Sequence, residues 1–154
     1  MNRLYNSYFR IGGRLLLPQT CRQTPAFPVL SYVQTDGSYR ARDRARVAVI
    51  IQPPSDKEQR YMFPVDANSS TEAEWASVAA GLSLAVERGC DAVALENDNL
   101  GIIRSLIFPA SRLRHEYARF YRDRILMTAI ETSWTGARWI PREENKADEL
   151  FRQT

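Results

Sequence analysis

The sequence predicts an α/β fold: a mixed five-stranded sheet with three antiparallel strands at its N-terminal side, flanked by helices. Three observations predict it. Strand-like segments come first, the apolar period then changes from two to about 3.6 near residue 70, and strand and helix patterns alternate from there on. A chain of 154 residues, 44% hydrophobic and 25% charged, can bury about 70% of its unfolded surface around one core. Residues 29–154 are therefore assigned to a single domain, preceded by a basic N-terminal arm, 1–28.

The first strand is 29–35, "VLSYVQT", in which Leu30, Tyr32 and Gln34 alternate with Ser31, Val33 and Thr35; Gly37 is expected to end it. Residues 47–51, "VAVII", are rich in the β-branched side chains that strands favour and stop at Pro53 and Pro54. After the charged turn "SDKEQR" comes "YMFPVDA" at 61–67, whose Pro64 marks an edge or a bulge. Three strands separated by turns form an antiparallel meander. The following helix has Ser69, Ser70 and Thr71 as N-cap candidates, acids in its first turn, an apolar stripe from Ala76 to Val86, and Gly89 to close it. "AVALEN" at 92–97 returns to strand, and "NLGIIRSLIF" at 99–108 forms a short helix halted by Pro109. Leu113, Tyr117, Phe120, Tyr121, Ile125 and Ile130 then space a long, arginine-faced helix from Leu113 to about Thr132. "ARWIP" gives the fifth strand and "NKADELFR" a terminal helix.

Charge is unevenly distributed along this order. The formal net charge is +3, yet residues 1–35 carry four arginines and no acid, 36–109 hold 8 basic and 11 acidic residues, and 110–154 hold 9 and 7. Nineteen of the 21 basic residues are arginine, whose planar donor fork suits bidentate phosphate contacts, so a polyanionic partner is expected. Cys21 and Cys90 show neither metal-ligand spacing nor a disulfide framework, which suits a reducing, cytoplasmic setting and gives no support to a redox role. "LLL" at 15–17 is too short for a signal-peptide core, and no apolar run approaches the roughly 20 residues of a membrane span. No membrane association is expected, and the basic arm is a candidate homodimer contact.

Four acids stand where rigid elements present side chains: Asp36 at the end of the first strand, Glu74 in the first turns of the main helix, Asp98 just past the fourth strand and Asp148 in the final helix. Taken singly, each has an ordinary explanation: a turn former, a helix N-terminal charge, a post-strand cap and a solvated helix face. Gathered together, they would repel one another and suffer raised pKa values unless cations neutralised them. Mg²⁺ or Mn²⁺, hard and oxygen-seeking, fits that task. Two such ions roughly 4 Å apart would serve phosphodiester hydrolysis, activating water on one side and stabilising the leaving oxygen on the other.

At these residues the chain resembles the ribonuclease H superfamily, particularly the compact ribonuclease H-like domains with a PRExN ending. "YVQTDGSYR" is similar to the family's TDGS element, "NSSTEAEWASVAAGLSLAVERG" to its helix bearing the second carboxylate, "VALENDN" to the strand that usually ends in SDS, and "WIPREENKADELFR" to its PRExNxxAD element. The resemblance spans about 29–152. It implies a ribonuclease H-like sheet, Asp36, Glu74, Asp98 and Asp148 as catalytic and metal-binding residues, and two divalent ions. It also implies RNA–DNA hybrid as substrate, distinguished from DNA by the 2′-OH, with 5′-phosphate and 3′-hydroxyl products.

Near these acids, Gly37 would let backbone approach the nucleic acid, Ser38, Asn68, Ser69, Ser70 and Asn99 would contact substrate, and Arg142 and Asn145 would meet phosphate. Turn geometry, capping and surface charge are the ordinary alternatives for them.

The chain departs from the family pattern in several places. Asn97 and Asn99 flank Asp98 where small serines are common, the second strand lacks its usual glycines, and "WIPREENKAD" has no catalytic-loop histidine. The one histidine, His115, falls in the predicted long helix as a surface or packed residue. Arg112, Arg114, Arg119, Arg122 and Arg124 are candidates to replace the basic handle that some members use to grip hybrids; a solvated helix face is the alternative. Trp75, Trp134 and Trp139 read as packing residues. Two functions compete with the hybrid nuclease: a DNA nuclease or resolvase sharing the fold, motivated by "ENDN" and the arginine-rich flanks, and a non-catalytic nucleic-acid-binding module.

Overall fold

The computed structural model describes residues 8–11 and 30–153. Six strands form one sheet: β1 (Phe9–Arg10), β2 (Leu30–Ser38), β3 (Ala45–Gln52), β4 (Gln59–Val65), β5 (Ala92–Asn97) and β6 (Trp134–Trp139), in the spatial order β1-β6-β5-β2-β3-β4. The β2-β3-β4 meander is antiparallel, β5 and β6 run parallel to β2, and β1 pairs antiparallel with β6. The helices are α1 (Ser70–Glu87), α2 (Leu100–Ile107), α3 (Glu116–Ala129) and α4 (Lys146–Arg152). No described helix is long and apolar enough to cross a membrane.

Several predicted boundaries move. The sheet has six strands where five were expected, because Phe9 and Arg10 pair with Ala137 and Gly136; a two-residue strand has no periodicity to read. The rest of the 1–28 arm, and any homodimer contact through it, lies outside the described residues. Strand β2 does not stop at Gly37 but runs through it to Ser38, since Gly37 and Ser38 stay in register with Val47 and Arg46. Helix α3 begins at Glu116, with His115 at its N-cap position and stacked on Tyr117 at 5.0 Å. Pro64 sits on β4, which is an edge of the sheet, where a missing backbone N–H costs no ladder bond.

One face of the sheet is covered by α1 and α3, where Val33, Val49, Ile51 and Leu95 pack with Trp75, Val78, Leu82 and Ile125. On the other face, Ala48 and Ile50 pack against Ala147 and Leu150 of α4. Because β3 is covered on both sides, "VAVII" is an unbroken buried run rather than an alternating one. Helix α1 starts with Ser69 accepting from the Glu72 N–H at 3.1 Å, and the chain leaves it through Gly89 at φ 82°, a conformation that favours glycine.

Helix α1 also lies unusually close to β2. A Cβ added at Gly81 would stand 2.4 Å from Thr35 Cγ2 and 3.1 Å from Val33 Cγ1. Gly81→Ala should therefore cost about 1–3 kcal/mol by overpacking. Adding Thr35→Ser, which removes the offending methyl but keeps the hydroxyl, should recover a substantial part in a denaturant double-mutant cycle.

Candidate active site

Strands β2 and β5 run parallel, so their C-terminal ends lie side by side, and α1 begins above that edge. This topology brings Asp36, Glu74 and Asp98 together: one carboxylate oxygen from each lies within 4.8 Å of the others. Asp148 of α4 lines the same open cleft, about 750 Å³ in volume, with Gly37, Ser38 and Arg142 on its walls. The four acids singled out in the sequence thus face one cavity, three of them forming a tight group.

Gly37 makes the approach of Glu74 possible. A Cβ there would fall 2.4 Å from the Ala73 backbone C and O and 2.6 Å from Glu74 N, so any larger residue would push the first turns of α1 off the strand. With hydrogen alone in that space, the Gly37 N–H donates to Glu74 Oε1 at 3.1 Å. Its φ is not positive; the requirement is for space, not for a turn.

Two buried asparagines complete the frame. Asn97 Nδ2 donates to the Thr35 carbonyl and hydroxyl at 2.9 Å each and reaches Glu74 Oε2 at 3.4 Å, while its Oδ1 accepts from Asn99 N at 2.7 Å. Asn145 Nδ2 donates to the same Thr35 carbonyl at 2.9 Å, and its Oδ1 caps α4 by accepting from Ala147 N at 3.1 Å. One carbonyl, immediately before Asp36, is thereby tied to the strand that leads into Asp98 and to the helix that carries Asp148.

The electrostatics follow from this crowding. Asp36, only 6% exposed, has its carboxyl pushed up to about 10, first by burial, then by hydrogen bonding to Glu74 and the charges of Glu74, Asp98 and Asp148. Burial also raises Glu74, aided by Asp98 and opposed by its bonds to Asp36, Gly37 and Asn97. Asp98 is raised by burial, with Arg142 pulling against it and Asp148 adding to it. Burial would raise Asp148 too, but Arg142, the bond to Asp36 and Arg152 together hold it below the usual carboxylate range. Arg142 lies 3.4 Å from Asp148 Oδ1, and Arg152 pairs with Oδ2. A site of hard oxygens that retains protons for want of positive charge is chemically suited to Mg²⁺ or Mn²⁺, and Asp36, Glu74 and Asp98 are the residues placed to hold such an ion.

The expected substrate contacts divide into two groups. Gly37, Ser38 and Arg142 line the cleft. Ser69 and Asn99 spend their side-chain oxygens capping α1 and α2, and Asn145, 1% exposed, has both ends of its amide engaged within the protein. Asn68 uses its backbone N–H on Glu72 at 2.6 Å, and Ser70 opens α1. Among the arginines, Arg119 donates to the Leu113 carbonyl and Arg122 to that of Ser111, fastening the preceding loop to α3. Sequence reasoning missed Asn97 as a framing residue, and also Tyr39, Arg40, Phe151 and Arg152 on the cleft wall. The alternation along β5 was the available signal for Asn97, since it sets that side chain on the same face as Val93 and Leu95, which is covered by α1.

A family model described as reverse transcriptase-like matches residues 34–151. The chain belongs to the reverse transcriptase-like family. No curated protein matches it in sequence. Solved structures give the fold: the N-terminal RNase H domain of a Mycobacterium tuberculosis protein, fused to maltose-binding protein, is similar with a TM-score of 0.66 at 20% identity, over 79% of this chain and 90% of that one. RNase H1 from the halophilic archaeon Halobacterium salinarum gives 0.67 at 18%, over 81% and 99%. LC11-RNase H1, isolated from compost by a metagenomic approach and solved with an RNA/DNA hybrid, gives 0.65 at 20%, over 79% and 92%. This member of the family has a ribonuclease H-like fold, with six strands in its sheet among the described residues.

The raised Asp36 carboxyl has a stability consequence of definite sign. Its folded value near 10 lies above the ordinary value of about 3.9, so the folded state binds the extra proton; the resulting stability is present below about pH 4 and is lost as pH rises toward 10. Without metal, Asp36→Asn should remove this dependence and raise Tm at pH 8 by about 3–6 °C, the equivalent of ~1–2 kcal/mol at this size. Mg²⁺ should raise the wild-type Tm at pH 8 and leave the variant's nearly unchanged, as read by calorimetric scans in EDTA and in Mg²⁺.

Proposed function

We propose that this chain is a divalent-metal-dependent endonuclease that hydrolyses the RNA strand of RNA–DNA hybrids, with Asp36, Glu74, Asp98 and Asp148 as its catalytic and metal-binding residues. The observation that carries the proposal is the convergence of Asp36, Glu74 and Asp98 within 4.8 Å, in an open cleft that Asp148 also lines. Two Mg²⁺ or Mn²⁺ ions would, when bound, lower the pKa of water and offset charge on the leaving oxygen.

The protein's own part is placement. Asp36 is set by the β2 ladder, Glu74 by Gly37 and Asn97, and Asp98 by the end of β5. Asp148 is held between Arg142 and Arg152, both largely exposed. Those two guanidiniums, with Arg40 on the same wall, are suited to phosphate oxygens flanking the scissile bond. Water adds across the P–O3′ bond, leaving a 5′-phosphate and a 3′-hydroxyl.

The hybrid is preferred as substrate because a similarly folded protein has been solved with an RNA/DNA hybrid. Of the two motives for a DNA substrate, "ENDN" and the arginine-rich flanks, the first loses force here: Asn97 points into the frame and Asn99 caps α2. An acidic, cation-seeking centre also favours catalysis over simple binding of a polyanion. A reducing, cytoplasmic setting belongs to the same proposal and is consistent with the free thiol of Cys90.

Purified protein with Mg²⁺ or Mn²⁺ should cut an end-labelled RNA–DNA hybrid while leaving duplex RNA, duplex DNA, branched DNA and single strands intact. Asp36→Asn, Glu74→Gln and Asp98→Asn should each reduce cutting to background with the fold retained by circular dichroism. Cleavage of DNA alone, or no cleavage of any substrate with either ion, would refute the assignment.

A further inference from the structure

A second polar cluster crosses the sheet beside the carboxylate site. Gln34 of β2 is the register partner of Glu96 of β5, and Glu96 is the partner of Arg138 of β6. One step further along the antiparallel β1–β6 pairing, Tyr8 comes opposite Arg138, whose guanidinium lies 4.7 Å from the Tyr8 ring centre. All four side chains are joined. Buried Glu96 accepts from Tyr8 Oη at 2.7 Å, from Arg138 Nη2, and from Gln34 Nε2 at 3.0 Å.

A buried Glu–Arg pair within a sheet is ordinarily structural. This row differs in where it ends. Gln34 turns its carbonyl outward to accept the Lys146 N–H at 2.9 Å, and its Nε2 also lies 3.4 Å from the Glu144 carbonyl. Residues 144–146 join the Arg142–Glu144 turn to α4. Gln34 therefore grips the segment between Arg142 and Asp148, two residues that face the cleft from either end of it.

The chemistry of the pair fixes which end of the amide does this. Glu96 Oε1 accepts from the Nε2 end of Gln34, while its Oε2 accepts from Tyr8 and Arg138. The Oε1 end of Gln34 is left for Lys146 N. We infer that Gln34, oriented by Glu96, is a positioning residue that sets where α4 begins and hence where Asp148 stands relative to Asp36, Glu74 and Asp98. Tyr8, immediately before β1, closes the far end of the row.

This inference rests on the metal-dependent reading of the carboxylate site. Gln34→Met keeps the side-chain length but can neither accept from Lys146 nor donate to Glu96. It should weaken Mn²⁺ binding to the metal-free protein, measured by titration calorimetry, about tenfold, as loss of an outer partner of a metal site typically does. With saturating Mn²⁺, kcat on the hybrid should fall by a similar factor, with KM changed by less than about twofold. Glu96→Gln, which no longer dictates the orientation of the Gln34 amide, should show a smaller loss in the same two readouts. Leu106→Ala, buried in α2 away from the row, serves as a control for plain destabilisation. Wild-type Mn²⁺ affinity and kcat in Gln34→Met would overturn the inference, as would losses no larger than those of Leu106→Ala at equal loss of Tm. A wild-type protein that binds no Mn²⁺ would instead remove the metal-dependent reading, and the inference with it; binding without hybrid cleavage would remove only the substrate assignment, and the affinity comparison would still decide the role of Gln34.

Discussion

Holding Asp36, Glu74 and Asp98 within 4.8 Å of one another is the constraint on which the rest of the molecule turns. Like charges in a partly buried group repel, and burial adds a desolvation cost, so the isolated cluster keeps a proton that free carboxyls would lose. A fold built only for stability would separate these side chains. This one brings them together from three different elements and gives each a rigid mounting.

The mounting is made of close approaches and shared hydrogen bonds rather than of apolar packing alone. Gly37 and Gly81 let α1 settle onto β2 at two points, which lowers Glu74 to the strand end. The Thr35 carbonyl accepts from Asn97 and Asn145 together, so β2, β5 and the start of α4 share one fixed atom next to Asp36. One residue further along, Gln34 links the same helix start, through Lys146, to the Glu96–Arg138–Tyr8 row. Buried networks of this kind are costly when partly satisfied and rigid when complete.

The order of elements was legible because most have a strong local signal: a β-branched run for β3, a short apolar run after Gly89 for β5, caps and an apolar stripe for α1, Pro109 after α2. The four acids were legible because they fall at element ends, where side chains can meet. What escaped was set by tertiary contact. Strand β1 is two residues long and acquires its structure only from pairing with β6. Gly37 looked like a strand terminator, as Asp-Gly pairs often are, whereas the lack of a side chain is needed for a helix that arrives more than thirty residues later. Asn145 looked available to phosphate, yet its amide closes a bond to Thr35 across 110 residues of sequence. Local pattern cannot distinguish an exposed amide from one committed to a distant carbonyl.

The most direct test of a metal-holding carboxylate centre is anomalous diffraction from crystals soaked in Mn²⁺. A strong anomalous peak in contact with Asp36, Glu74 and Asp98, absent from Asp36→Asn crystals under the same soak, is the result this account predicts. A well-ordered site with no peak there, its carboxyls still hydrogen-bonded to one another at saturating Mn²⁺, would contradict it.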